Sequence, residues 1–188
     1  MSDLASLRRL PLTGLPDSPA LGATLTALLP LARFILRGRA AAQDAAAGPL
    51  GFALPQQACR AASVGDRAAL WLGPDEWLLL TAEADGPALH AALESALAGL
   101  PHALVDVGHR QSGLTLAGPV AALVLNAGCP LDLDPAAFPV GMCTRTVLGK
   151  ADIVLWRTAP DAFHIEAWRS FLPYVWRFLG EAARDFAD

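Results

Sequence analysis

Charge is scarce in this chain of 188 residues: Asp, Glu, Lys and Arg make up 17% of it against 54% apolar residues, and the net charge is −4. The basic residues are scattered, with neither a basic stripe nor an interleaving of basic and aromatic side chains, which argues against a nucleic-acid partner. Cysteine is equally sparse. The three thiols, Cys59, Cys129 and Cys143, form no C-x-x-C pair and leave an odd one over, a pattern that suits a reducing compartment. Histidines 90, 102, 109 and 164 lie too far apart to be read as metal ligands, and no His-x-x-x-His spacing occurs. No glycine-rich phosphate loop of either the G-x-G-x-x-G or the P-loop kind is present, so nothing here predicts a bound dinucleotide or nucleotide. Long hydrophobic runs are missing too. The uncharged stretch from Ser18 to Ala32 contains two prolines and a glycine and is shorter than the roughly 18–20 apolar residues that cross a bilayer. Asp3 and Asp17 bracket the only arginines near the N-terminus, which does not resemble a secretion signal. The expectation is a cytoplasmic protein, outside the membrane, whose high apolar share places part of its surface against another chain.

What the sequence does contain is an internal repeat, from Leu31 to Leu100 and again from Gly113 to Phe186. Cys59-Arg60, Gly65-Asp66, Leu70-Trp71, Pro74-Asp75 and Trp77 recur in order as Cys143, Gly149-Lys150, Leu155-Trp156, Pro160-Asp161 and Phe163. In each copy a glycine and a charged residue separate two apolar runs, a Pro-Asp turn leads to a third, and a helical pattern follows. Upstream, Phe34 to Gly38 and Leu114 to Gly118 are short apolar strands ending in glycine. The unit reads strand, helix, three strands, helix. This predicts an α+β fold of two related ferredoxin-like halves, with mostly antiparallel sheets and helices packed on them. The expected division is an N-terminal extension over 1–30, a first half over 31–110 and a second half over 111–188, in one compact body.

Helix signals are clearest after Asp85, a candidate cap. Pro87 suits the first turn, and Leu89, Leu93 and Leu97 recur at helical spacing before Gly99 and Pro101. A shorter helix is expected between Pro119 and Gly128. In the last helix, Phe171, Leu172, Tyr174, Val175, Trp176, Phe178 and Leu179 put large apolar groups around most of the circumference. One side must cover its own sheet. Tyr174 and Trp176 are then either anchors for a partner on the other side or covers for a sheet edge.

The stretch from Gly128 to Ala151 carries three prolines, two aspartates and two cysteines in a connection longer than most compact folds use, which marks a functional or interface loop. Val105 to Arg110 places a charged cluster, Asp106, His109 and Arg110, at a strand end. A nucleophilic site could be assembled from Cys129 or Cys143, His109 as base and Asp106 as its orienter. Burial of both thiols is the competing reading, with Asp106 and Arg110 as a local ion pair. Arg145 and Lys150, beside Thr144 and Thr146, could receive an anionic group or form inter-subunit ion pairs.

These segments also carry a resemblance. Gly128-Cys-Pro-Leu-Asp-Leu133, Cys143-x-Arg-Thr-x-Leu-Gly-Lys-Ala151, Leu72-Gly-Pro-Asp-Glu-Trp-Leu-Leu79 and Asp106-Val-x-His-Arg110 resemble the gamma subunit of heterotetrameric bacterial sarcosine oxidase, from about Phe34 to the last helix. The resemblance implies a fold similar to the folate-binding region of the glycine-cleavage T-protein. It further implies a non-catalytic subunit, partnered by alpha, beta and delta subunits, of an enzyme that oxidises sarcosine to glycine with hydrogen peroxide. There the released one-carbon unit can be captured by tetrahydrofolate as the 5,10-methylene form. FAD, FMN, NAD and tetrahydrofolate are implied on the other subunits, with none bound by this chain alone. The alternative is an independent folate-binding one-carbon protein, in which Arg145 and Lys150 would touch the glutamate tail of folate. No acidic residue can be assigned to the catalytic aspartate of the T-protein, so no folate-site residue is carried over.

Overall fold

The structure, a computed structural model, describes Leu12 and residues 22–186. Ten strands and four α-helices follow in the order β1 (Thr24–Ala27), β2 (Leu31–Gly38), α1 (Ala40–Leu50), β3 (Ala61–Val64), β4 (Arg67–Gly73), β5 (Glu76–Ala82), α2 (Gly86–Leu97), β6 (His102–Asp106), β7 (Gln111–Ala117), α3 (Ala121–Asn126), β8 (Cys143–Leu148), β9 (Ala151–Ala159), β10 (Ala162–Trp168) and α4 (Leu172–Arg184). The repeat unit is the expected one: β2-α1-β3-β4-β5-α2 in the first copy, β7-α3-β8-β9-β10-α4 in the second.

Two five-stranded sheets result, with orders β3-β4-β5-β2-β6 and β8-β9-β10-β7-β1, and every pairing is antiparallel. The first four strands of each order correspond across the repeat. The fifth place is filled by β6 in one sheet and by β1 in the other, with Thr24 opposite Ala117 and Ala27 opposite Leu114. Most of the expected N-terminal extension lies outside the described residues, but its described end completes the second sheet. The matching hairpins β3–β4 and β8–β9 both close on two residues whose glycine, Gly65 or Gly149, has φ near +57° or +58°. That left-handed conformation is why glycine recurs there.

Strand alternation sorts the side chains into four layers, helix, sheet, sheet, helix. Phe34, Leu36, Trp77 and Leu79 face α1 and α2, and pack with Ala46, Leu50, Leu89, Leu93 and Leu97. Leu114, Leu116, Leu155, Phe163 and Ile165 face α3 and α4, and pack with Val124, Leu125, Val175 and Leu179. Trp77 and its repeat counterpart Phe163 are both fully buried on the helix faces of their sheets. Between the sheets lies a smaller apolar cluster of Ala68, Leu70, Leu78 and Leu80 against Cys143 and Val154. At one edge the sheets are stitched by backbone: Cys143 N–H donates to Cys59 at 2.9 Å and Ala61 N–H to Gly141 at 2.8 Å, around an Arg60–Met142 bridge.

Three local expectations are corrected. Asp85 precedes α2 as anticipated, but its side chain makes no capping bond; the residues before the helix form a short 3-10 turn instead. Strands β2 and β7 begin three residues earlier than their apolar runs, because Arg33, Gln111 and Gly113 face the opposite sheet rather than solvent. The last helix is one-sided. Leu172, Val175, Trp176, Leu179 and Ala183 are buried, with Trp176 9% exposed. Tyr174 and Phe178 also turn inward, over Gly149 and Gly128, where a Cβ would collide with their rings. The space left by those two glycines lets bulky aromatics serve as core.

Candidate functional site

The chemistry of this molecule concentrates at the seam between the halves. Arg33, near the start of β2, and Glu166, on β10, meet there fully enclosed. Arg33 Nε donates to Glu166 Oε2 at 2.7 Å and Nη2 to Oε1 at 3.0 Å, while Nη1 donates to the Leu31 carbonyl at 2.9 Å. His164 Nε2 lies 2.8 Å from Glu166 Oε1 and, facing a carboxylate, donates to it. Burial alone would raise the Glu166 carboxyl, but the His164 hydrogen bond and the Arg33 charge outweigh it and hold the group below its ordinary value. Gly113 makes room for the pair: a Cβ there would lie 2.7 Å from Glu166 Oε1. The pair was not singled out in the sequence. Its signal was an arginine and a glutamate set inside otherwise apolar strands.

Beside this pair runs a cleft of about 440 Å³, whose walls include Ile35, Arg110, Gln111, Arg145, Glu166 and Trp168. A second, of about 530 Å³, opens between Phe34, Pro87, His90 and the β6–β7 connection and is walled by Asp106 and His109. Arg145, half exposed, pairs with Glu76 on β5 and so ties the two sheets together. Lys150 is exposed at the β8–β9 turn, where its backbone N–H donates to Tyr174 Oη at 3.2 Å. The seam cleft takes in Arg145 but not Lys150, so the two do not line one cavity.

Arg110 is exposed, with its guanidinium 5.8 Å from the Trp168 ring centroid. It forms no ion pair with Asp106, whose Oδ1 accepts the Gly108 N–H at 2.7 Å. The nucleophilic arrangement does not form either. Cys143 is fully buried between the sheets, its Sγ 3.7 Å from the Trp71 carbonyl, and burial pushes its thiol up to about 12. Cys129 packs in the other core, beneath α3 and α4, whereas His109 is exposed.

The long connection between α3 and β8 is held from beneath by Arg157, which is buried on β9. Its Nη1 donates to the Leu133 and Phe138 carbonyls at 3.0 and 2.6 Å, its Nε donates to Pro160 at 3.1 Å, and the guanidinium lies 4.8 Å from the Phe163 ring. A feature that looked functional is, on this side, a clamped structural loop. Among the described residues no group of three metal-ligating side chains converges, and no helix is long and apolar enough to cross a membrane.

The family described as "Sarcosine oxidase, gamma subunit family" matches residues 37–185. A sarcosine oxidase subunit gamma of an Arthrobacter species is 35% identical over 97% of this chain and 93% of its own length. This chain belongs to the sarcosine oxidase gamma subunit family. A second gamma subunit, from Corynebacterium sp. (strain P-1), is 40% identical over 77% of this chain and 70% of its own. Among solved structures, a chain of the heterotetrameric sarcosine oxidase from Corynebacterium sp. U-96, solved with pyrrole 2-carboxylate, superposes with a TM-score of 0.89 at 33% identity, covering 97% of both chains. The glycine cleavage system aminomethyltransferase T from Bartonella henselae superposes with a TM-score of 0.63 at 17% identity, over 84% of this chain and 45% of that one. That likeness shows the T-protein-like fold of this chain.

Proposed function

We propose that this chain is the non-catalytic gamma subunit of a heterotetrameric sarcosine oxidase. It completes an assembly with alpha, beta and delta subunits that oxidises sarcosine to glycine, releases hydrogen peroxide and delivers the one-carbon unit to tetrahydrofolate. In this reading FAD, FMN, NAD and tetrahydrofolate reside on the partners, and the assembly works in the cytoplasm. The observation that carries it is the end-to-end superposition on one chain of the Corynebacterium heterotetramer. The site chemistry supports it as well: Arg33, Glu166, His164 and Arg157 spend their bonding capacity on each other and on the backbone.

The competing reading, an independent folate-binding protein, requires convergent polar groups in a pocket with capacity to spare. The seam cleft is of suitable size, but Glu76 already holds Arg145 and Glu166 is committed to Arg33 and His164. The test is to co-express the chain with the other three subunits and compare the purified complex with the chain alone. The subunit reading expects flavin absorbance and sarcosine-dependent peroxide from the complex, and neither from the isolated chain. Stoichiometric tetrahydrofolate binding by the isolated chain, with no complex formed, would replace it with the folate-protein reading.

A further inference from the structure

We propose that Cys59 and Cys143 form a redox-sensitive clasp between the two halves, closing to a disulfide when hydrogen peroxide reaches Cys59. The peroxide is the one released by the assembly proposed above, so for its oxidant the inference rests on the gamma-subunit reading. Both cysteines are free thiols, Cys59 half-buried and Cys143 buried. They hold corresponding places in the repeat: Cys59 stands as far before Gly65 as Cys143 does before Gly149, the glycines of the matching hairpins. The antiparallel bridge between Arg60 and Met142 sets the two directly opposite each other, where backbone stitches the sheets together. Duplication thus brings equivalent positions face to face across one seam.

The backbone contact bounds the distance the clasp must span. Cys143 N–H donates to the Cys59 carbonyl with the nitrogen and oxygen 2.9 Å apart. Covalent bond lengths then hold the two Cα atoms to about 6.8 Å or less, within the roughly 4.4–6.8 Å that disulfides bridge. The polar contact of the Cys143 sulfur is a 3.7 Å one to the Trp71 carbonyl, a weak bond to give up. Burial is the main reason the Cys143 thiol lies near 12, and the Cys59 thiol adds to the rise, which puts the two sulfurs within electrostatic reach. Cys59 also holds φ at +58°, the one non-glycine among the described residues with positive φ, an outlier of the kind that clusters at functional positions.

Exposure assigns the roles. Cys59, half-buried, meets the oxidant, and Cys143, enclosed, resolves it. The Cys59 sulfur attacks one peroxide oxygen and the O–O bond breaks, leaving a sulfenic acid and one water. The Cys143 sulfur then attacks the sulfenic sulfur. The S–S bond forms, the S–O bond breaks, and the Cys143 proton leaves with the hydroxyl as a second water. Two thiols are oxidised and one hydrogen peroxide is reduced to two waters. Because burial raises the Cys143 thiol, the second step is the slow one, and the Cys59 sulfenic acid accumulates before it.

The test starts with the reduced, full-length wild-type chain, its fold checked by circular dichroism, treated with hydrogen peroxide and mapped by mass spectrometry without reductant. The expected result is a Cys59–Cys143 peptide pair within one chain, preceded by a Cys59 sulfenic acid that dimedone traps. Cys129 should stay reduced. The link should raise the urea midpoint, and dithiothreitol should reverse both the link and the shift. Cys59→Ser should show neither. Cys59 oxidised to sulfinic acid beside a reduced Cys143, a Cys59 link between two chains, or links to Cys129 would each overturn the clasp. A second arm uses the co-expressed complex turning over sarcosine, with and without catalase. The link should form only with sarcosine, and catalase should suppress it. A complex that makes peroxide without forming the link would overturn the oxidase as its oxidant source and leave the gamma reading intact. A chain that links on added peroxide but joins no complex would overturn the gamma reading and leave the cysteine pair standing.

Discussion

Arg33 and Glu166 bring opposite charges out of water at the contact between two sheets, a placement in which neither charge tolerates the loss of the other. Glu166→Gln leaves an uncompensated buried guanidinium and should cost about 3–5 kcal/mol in urea unfolding. Adding Arg33→Met should recover part of that loss, giving a coupling that a pair of independent contacts would lack. The pH dependence has a definite sign. The folded Glu166 carboxyl is held below its ordinary value of 4.5, so its contribution is fully present above that pH and is lost as pH falls through the lower folded value. Stability of the wild type should therefore drop on acidification below about pH 4.5 more steeply than that of the Gln variant. The thiols give a second check at this scale. Cys143, with its thiol near 12, and the buried Cys129 should resist a thiol reagent at pH 8 in the native chain, while the half-buried Cys59 reacts; unfolding should release the other two.

Two elements behave differently from their appearance in the sequence. The proline-rich connection between α3 and β8 is fixed by Arg157, whose bonds to Leu133 and Phe138 are charge-assisted and buried. Arg157→Met orphans both carbonyls and should cost about 3 kcal/mol or more, with faster amide exchange across 131–140 than elsewhere. Helix α4 buries Trp176 in its own core, so Trp176→Ala should lower the unfolding free energy of the isolated chain by about 3–5 kcal/mol. Unchanged chain stability with lost assembly would make it an interface anchor instead. These cases show where local sequence was legible. The strands and hairpins were readable because glycine turns and Pro-Asp turns bound alternating apolar runs, twice and in the same order. The inward turn of α4 was not, because it depends on Gly128 and Gly149, which are distant along the chain but adjacent in space. Nor was the seam: Arg33 and Glu166 are 133 residues apart, and each alone reads only as a charge interrupting a strand.

At the scale of the whole molecule, duplication explains the architecture. Two sheets of the same strand order pack face to face, each roofed by its own helices, and the interface between them is part apolar and part ionic. The swap of β1 for β6 at the fifth position means that residues before the first repeat complete the second sheet, which ties the halves together by chain as well as by contact. Each half of such a body has an apolar layer of its own between sheet and helices. The most direct measurement is co-purification. The chain is tagged, co-expressed with the alpha, beta and delta subunits, and the captured material is examined for subunit stoichiometry, flavin absorbance and sarcosine-dependent peroxide. The account predicts a yellow, active complex with one copy of this chain per assembly. A colourless chain recovered alone, beside an active oxidase assembled without it, would contradict the account.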